Sequence, residues 1–380
     1  MTIYSVILAT GSYTSGRLVS TEELVKDARF YREGKPEELT QKALDAMGTK
    51  YRLWANENEV TSDLGAIALN KCFESSILTR EEVNYIIVAH NTGDNGDIIP
   101  PISSIVAEKA GFKNVSFSDK TAGCQGFSYA LKEADAYIKL GWADKVAVVG
   151  AEKLSSIKGS STSSLLFGDG ACAIILGKFE SEYPTGILAS YTNGDPTLNR
   201  VLKMCGRNEE SISIINNPNY KLRRDLEMDG YAVYDKAKVV IPDTFFKLLK
   251  KTNLNANQVK YLLKHQASEK ILSKSSYEGL KRMGYNDKQV REFIEQYRRN
   301  KVPKSLHYLG NSSVATTGTL LDILLKRETD NPDLEGLLKD LKNYKIEEDD
   351  IIALLSVGAG IGWAGQLIKM NPIYWDYLKN

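Results

Sequence analysis

Two hydrophobic rhythms alternate along this chain. Short, nearly continuous apolar runs rich in Val, Ile and Leu read as strands buried on both faces, at residues 4–8, 85–89, 145–150, 171–176, 186–191, 261–264, 351–357 and 363–369. Between them, apolar residues recur every three or four positions, which predicts helices over 62–74, 103–110, 125–140, 232–251, 268–282 and 315–325. Strands alternating with helices of this length are the signature of an α/β fold.

The pattern repeats. Val83-Asn84-Tyr85-Ile86-Ile87 and Val259-Lys260-Tyr261-Leu262-Leu263 are the same apolar strand, each with a polar lead-in and each followed closely by a histidine, His90 or His265. Glycine-rich punctuation and a long helix follow in both cases, the first helix opening at Cys124 and the second near Asn311. Each unit then offers another apolar strand ending in Gly-Ala. The chain divides on this reading into two homologous halves, 1–180 and 181–380. Residues 287–304 form a charged insert, helical in pattern, without a counterpart in the first half. Asn193-Gly194-Asp195-Pro196 reads as a turn connecting the halves.

The chemistry concentrates at Cys124, in Thr121-Ala122-Gly123-Cys124-Gln125-Gly126-Phe127, between a β-rich run and a helical one. A helix N-terminus presents free N–H groups and partial positive charge, which favours thiolate over thiol. The flanking glycines let a substrate carbonyl approach the sulfur. Pseudo-twofold symmetry of the halves would set Cys124 opposite His265 and Asn311. Cys72 and Cys172 lie in a helix and a strand and read as small buried hydrophobes, whereas Cys205 lies in a loop-like stretch that leaves its role open. His307 reads as structural, and Gly168-Asp169-Gly170 as a tight turn before a core strand.

Composition narrows the class without choosing within it. The chain has 380 residues, 42% hydrophobic and 26% charged, with a net charge of +1, so no global field points to nucleic acid or a membrane. No apolar run reaches about 18 residues and the first residues read as a strand, so neither a transmembrane helix nor a signal peptide is expected. Four cysteines at spacings that suit neither zinc nor a disulfide framework point to a reducing, cytoplasmic setting.

Five motifs now stand in order: Thr121 to Phe127, Phe167-Gly168-Asp169-Gly170-Ala171, His265-Gln266-Ala267-Ser268, Gly310-Asn311-Ser312-Ser313 and Gly358-Ala359-Gly360-Ile361-Gly362-Trp363. Together they resemble the β-ketoacyl-acyl-carrier-protein synthase III branch of the thiolase superfamily, over nearly the whole chain. The resemblance implies a thiolase-like α/β fold, two pseudo-symmetric halves in five αβαβα layers. It implies a catalytic set of Cys124, His265 and Asn311, with Cys124 acylated by a thioester. The backbone N–H groups of Cys124 and Ala359 would form the oxyanion hole. His265 and Asn311 would bind the carbonyl of a second thioester, malonyl or β-ketoacyl, whose enolate attacks the acyl group in a Claisen condensation. No metal or organic cofactor is implied. A homodimer is, with the loop near Ile98-Ile99-Pro100 reaching the other subunit's pocket.

Departures from the family pattern refine the expectation. No tryptophan precedes Gly48 and the place of a usual arginine is Ser161, so the adenine clamp of acetyl-CoA-primed enzymes is missing. A longer or carrier-bound acyl donor fits better. Acyl carrier protein, an acidic partner, would meet Lys270, extended by Arg298, Arg299, Lys301 and Lys304 or by Lys221, Arg223 and Arg224. Pocket-lining candidates are His90, Ile99, Phe127 and Ser268. The run Val88 to Asp94 also resembles the subgroup that makes dialkylresorcinol precursors. The other readings are an acyltransferase or thioesterase on the same scaffold, which makes no C–C bond, and a catalytically silent subunit.

Overall fold

The computed structural model describes residues 1–26, 31–32, 35–36, 39–94, 99–156, 165–206, 224–274, 277–298 and 301–379. Two sheets organise them. The first contains β1 (Thr2–Tyr13), β2 (Tyr85–Ala89), β3 (Ser116–Lys120), β4 (Lys145–Glu152) and β5 (Gly170–Ser181), in the order β1-β5-β4-β2-β3. The second contains β6 (Gly186–Gly194), β7 (Val259–Lys264), β8 (Ile351–Gly358) and β9 (Gly362–Lys369), in the order β6-β9-β8-β7. β2 runs parallel to β3 and β4, as β7 does to β8, and the remaining pairings are antiparallel. β2 and β4 are almost wholly buried, which is why they read as unbroken Val and Ile runs.

Helices fill the layers between and outside the sheets. α1 (Thr61–Glu74) packs on the outer face of the first sheet beside α2 (Ile102–Lys109), its first turn held by the Asp63 carboxylate, which accepts from the Val60 N–H at 2.8 Å. α3 (Gly126–Lys139) lies between the sheets and buries Phe127, Ala130, Leu131, Ala134 and Ile138, one stripe at helical spacing. α4 (Gly230–Thr252) covers the outer face of the second sheet, capped by Asp229, whose carboxylate accepts from the N–H groups of Tyr231 and Ala232. The short α5 (Glu269–Ser273) and the insert helix α6 (Asp287–Arg298) sit on the same side, Phe293 of the insert packing against Phe245 and Phe246 of α4. α7 (Thr316–Lys326) joins α3 in the central layer. The result is a five-layer α/β fold.

Two local expectations change. The helix predicted over 268–282 is broken: α5 ends at Ser273 and Lys274 is extended. The buried amine of Lys264 donates to the Ile271 and Leu272 carbonyls at 2.7 and 2.9 Å, taking acceptors that a continuing helix would use. The stretch around Cys205 is a strand, Leu202–Gly206, paired with Arg224–Met228. Cys72 and Cys172 are fully buried, as their positions implied.

Candidate active site

The centre of the molecule is built twice from one device, a single 3₁₀ turn that runs into a central-layer helix. Gly123–Gln125 leads into α3, and Ser313–Ala315 leads into α7. Each turn begins on a positive φ, 65° at Gly123 and 49° at Ser313. The two turns meet, and Ser313 Oγ lies 3.4 Å from Cys124 Sγ.

Cys124 is half-buried. Desolvation by burial pushes its thiol up to about 11, with the Glu152 carboxylate adding to the rise. The Ser313 hydroxyl and the backbone N–H groups of Ala359 and of Cys124 itself act the other way. The helix N-terminus therefore does not make a resting thiolate here; burial outweighs it. Ala359 reaches the sulfur because β8 ends in Gly358, which has no side chain to hold the strands apart: a Cβ there would lie 2.4 Å from the Cys124 nitrogen. Gln125, buried behind the cysteine, donates to the Ala359 carbonyl at 3.4 Å and ties the two loops.

His265 follows β7, its N–H on the Leu355 carbonyl at 2.7 Å. Its Nδ1 is 2.6 Å from Thr316 Oγ1 at the start of α7. Burial lowers its pKa to about 3, so the ring is neutral near pH 7. Asn311 is buried; its Oδ1 accepts from the Ser313 N–H at 2.9 Å, and among the described residues none takes a hydrogen bond from its Nδ2. The Gly168 turn braces it: Asn311 N donates to the Leu166 carbonyl at 2.8 Å, and Gly168 N donates to the Asn311 carbonyl at 3.1 Å. Beneath lies the buried Arg52, whose guanidinium donates to Thr21 and the Leu165 carbonyl and is lowered by desolvation to about 10. Ser313 joins the set, touching Cys124 and Asn311 directly and reaching His265 through Thr316, whose Oγ1 is 3.2 Å from the Ser313 carbonyl.

The sequence reading did not single out Asn91 or Glu152. Asn91 Oδ1 accepts from the Gly123 N–H at 3.0 Å, and its Nδ2 donates to Glu152 Oε1 at 2.6 Å and to Ser313 Oγ at 3.3 Å. Glu152 is fully buried at the end of β4, with its pKa raised by desolvation against the hydrogen bonds of Asn91 and Thr92. A carboxylate closing the buried strand β4 is the one signal in the sequence that could have pointed here.

The other candidates have these places. His90 Nε2 is 3.1 Å from Asp119, which also accepts from the first N–H groups of α2. Ile99 is 83% exposed. Phe127 is buried beside Gly150 and Gly318. Ser268 caps α5, accepting from the Ile271 N–H at 3.3 Å. Lys270 is exposed, its ammonium 4.0 Å from the centre of the Tyr234 ring. His307 Nδ1 donates to the Gly48 carbonyl at 2.6 Å, and its Nε2 is 3.4 Å from Glu269. Asn193 and Gly194 end β6 rather than forming a free connector, and Gly194, Asp195 and Pro196 line a cleft with Gly123, Gln125 and Ala359. Ile98, Ser161, Lys221, Arg223 and Arg299 lie outside the described residues. Among the described residues no group of three His, Cys, Asp or Glu is placed to hold a metal, and no helix is long and apolar enough to cross a membrane.

Five layers with a cysteine at the start of an inner helix define a thiolase-type protein. Residues 118–196 match the family model for 3-oxoacyl-[acyl-carrier-protein (ACP)] synthase III. The β-ketoacyl-[acyl-carrier-protein] synthase III of Staphylococcus aureus (strain Newman) is 28% identical over 324 residues, 85% of this chain and 87% of that one. Among solved structures, synthase III from Thermus thermophilus superposes with a TM-score of 0.73 at 25% identity, covering 97% of this chain and 99% of that one. The priming β-ketosynthase of the R1128 polyketide pathway has the same fold, with a TM-score of 0.74 at 24% identity over 97% and 96% of the two chains. In sequence and fold the chain is thus similar to the β-ketoacyl-acyl-carrier-protein synthase III enzymes, condensing acyltransferases of the thiolase superfamily.

Proposed function

We propose that this enzyme takes an acyl group onto Cys124 and joins it, by Claisen condensation, to a second thioester, malonyl- or β-ketoacyl-, delivered on a carrier protein. The observation that carries the reading is the convergence on one sulfur of two backbone N–H groups, with a neutral His265 and an unused Asn311 amide tied to the same turn.

Cys124 Sγ attacks the thioester carbonyl of the donor, and the N–H groups of Cys124 and Ala359 hold the oxyanion. Collapse of the tetrahedral adduct expels the donor's thiol and leaves the acyl-enzyme. The second thioester then places its carbonyl against His265 Nε2 and Asn311 Nδ2. That role needs the histidine proton on Nε2, with the Thr316 hydroxyl turning its hydrogen from the Ser313 carbonyl, 3.2 Å away, to His265 Nδ1 at 2.6 Å. A malonyl group loses CO₂, and the electron pair left behind becomes an enolate whose oxygen is held by these two donors. Because His265 is neutral, it stabilises the enolate as a poor acid and does not quench the carbanion. The carbanion attacks the acyl carbonyl, and the Cys124–acyl bond breaks to return the sulfur.

Acyl carrier protein is the proposed partner. Lys270 stands beside Tyr234 on the surface, with Lys238, ion-paired to Asp235, packed on the same ring at 5.5 Å, a patch where Lys270 offers the exposed positive charge to an acidic protein. We also propose a homodimer in the cytoplasm. β3 is an edge strand whose Ser116 and Phe117 are exposed, and pairing with a second copy would cover it.

Intact-protein mass spectrometry tests the core of this reading. Acyl-CoA and acyl-carrier-protein donors should leave one acyl group, located on Cys124, and malonyl- or β-ketoacyl-carrier protein should discharge it with a new C–C bond. Condensation by Cys124→Ala would overturn it.

A further inference from the structure

The hydrogen-bond directions around Cys124 can be read by counting donors. The Asn91 amide is fixed first. Its Oδ1 takes the Gly123 N–H at 3.0 Å, so the group facing Glu152 at 2.6 Å and Ser313 at 3.3 Å is the NH₂. Glu152, fully buried, is met by donors on both oxygens: Asn91 on Oε1, and the Thr92 N–H at 3.1 Å and hydroxyl at 2.8 Å on Oε2. Because Asn91 gives a proton to Ser313 Oγ, the serine's own hydrogen is left to point at Cys124 Sγ, 3.4 Å away. The backbone of Ser313 is held for this purpose in the left-handed region, at φ 49°, although serine gains nothing there and glycine would sit more easily.

Resting on the reading of Cys124 as the nucleophile, we propose that Ser313 is a further catalytic residue, the hydroxyl that stabilises the Cys124 thiolate, and that Asn91 and Glu152 are positioning residues that aim it. The proton stays on Ser313. Its hydrogen bond strengthens as Cys124 loses its proton, which ends on the departing thiol of the donor, weakens when the sulfur becomes an uncharged thioester, and strengthens again as the acyl–sulfur bond breaks to leave a thiolate that takes a proton from water. Ser313 therefore serves both half-reactions at the sulfur, while His265 and Asn311 serve the second thioester. The other ionisable groups around the sulfur are Glu152 on β4, with His90 beside it, and His265, reached through Thr316 on α7; all remain in the variants below.

The test is the pH dependence of Cys124 alkylation by iodoacetamide, which needs no acyl substrate. Ser313→Gly removes the hydroxyl and relieves the positive φ. It should slow alkylation at a fixed pH by roughly 10- to 100-fold, the range for a hydrogen bond to a charged group, and move the profile to higher pH. Its Tm should be no lower than that of the wild type by more than a few degrees. Ser313→Ala should slow alkylation equally, and Asn91→Ala should do so in the wild type but have far less effect in the Ser313→Gly background. A merely structural serine would make stability and reactivity fall together. An unchanged alkylation profile in folded Ser313→Gly or Ser313→Ala overturns the proposal, whatever the enzyme condenses. A shifted profile in a protein that accepts no acyl donor leaves the proposal standing and sinks the condensing reading instead.

Discussion

Gly358 and Cys124 approach so closely that a methyl group on the glycine would lie 2.4 Å from the cysteine's backbone nitrogen and 2.8 Å from its Cβ. This contact brings the end of β8 onto the nucleophile and lets the Ala359 N–H share the sulfur with the N–H of Cys124. Gly358→Ala should therefore separate the two donors. Loss of one oxyanion donor lowers kcat by about 10²–10³ in enzymes of this chemistry. The expected result is a drop of at least about 100-fold in Cys124 acylation, followed by mass spectrometry, in a protein whose far-UV circular dichroism is unchanged. Wild-type acylation rates in the alanine variant would rule out this geometry as the oxyanion hole.

Asn311 separates the two half-reactions. Its Oδ1 is committed to the Ser313 N–H, and only its Nδ2 is offered to a ligand. Asn311→Asp keeps the acceptor and removes the donor, placing negative charge where the enolate forms. Acylation of Cys124 should stay within about tenfold of the wild type, and condensation should fall by two or more orders of magnitude. Equal losses in both steps would show that Asn311 acts on the fold of the turn and not on the second thioester.

His265 ties acid stability to the site. Its pKa falls from 6.5 to about 3 on burial, so between these values the unfolded chain binds a proton that the folded protein does not. Stability then rises with pH through this window and is lost as the pH falls from about 6.5 toward 3. From pH 7 to pH 5 this single histidine should remove about 2 kcal/mol. His265→Gln, which keeps a polar side chain without the titration, should flatten that part of the stability curve in urea melts at the two pH values. An equal fall from pH 7 to pH 5 in wild type and variant would place the acid sensitivity elsewhere.

Much of this site could be read before any coordinates. The buried strands declared themselves because a strand covered on both faces has no polar alternation, as β2 and β4 show. Cys124, His265 and Asn311 each sit where a strand or turn runs into a helix, and such junctions carry glycines and a change of hydrophobic period. Asn91, Ser313 and Glu152 were not legible as a unit. They come from three separate junctions, 61 residues apart between Asn91 and Glu152 and 222 between Asn91 and Ser313, and no local pattern encodes a hydrogen bond across such distances. The protonation of Cys124 is hidden from the sequence for a related reason. A helix terminus is visible in the sequence, but the burial that outweighs it depends on how both halves close over the sulfur. The break after α5 had the same origin, since the lysine that takes its carbonyls comes from β7.

Delivery of the substrate can be tested apart from chemistry. Lys270 and Lys238 flank the Tyr234 ring at 4.0 and 5.5 Å, on the same side as the insert helix. Lys270 is exposed, while Lys238 is partly buried and paired with Asp235; surface charges of this kind govern encounter with an acidic protein and are screened by salt. Lys270→Glu combined with Lys238→Glu should raise KM for carrier-bound thioesters by about tenfold or more while leaving kcat nearly unchanged, and the penalty should be larger at low ionic strength. A free pantetheine thioester of the same acyl group, which carries no acidic protein, should be used equally by wild type and variant. An equal loss on both substrates would mean that the substitutions disturb α4 and α5 themselves, and an unchanged KM for carrier-bound thioesters would move the docking surface to another face of the enzyme.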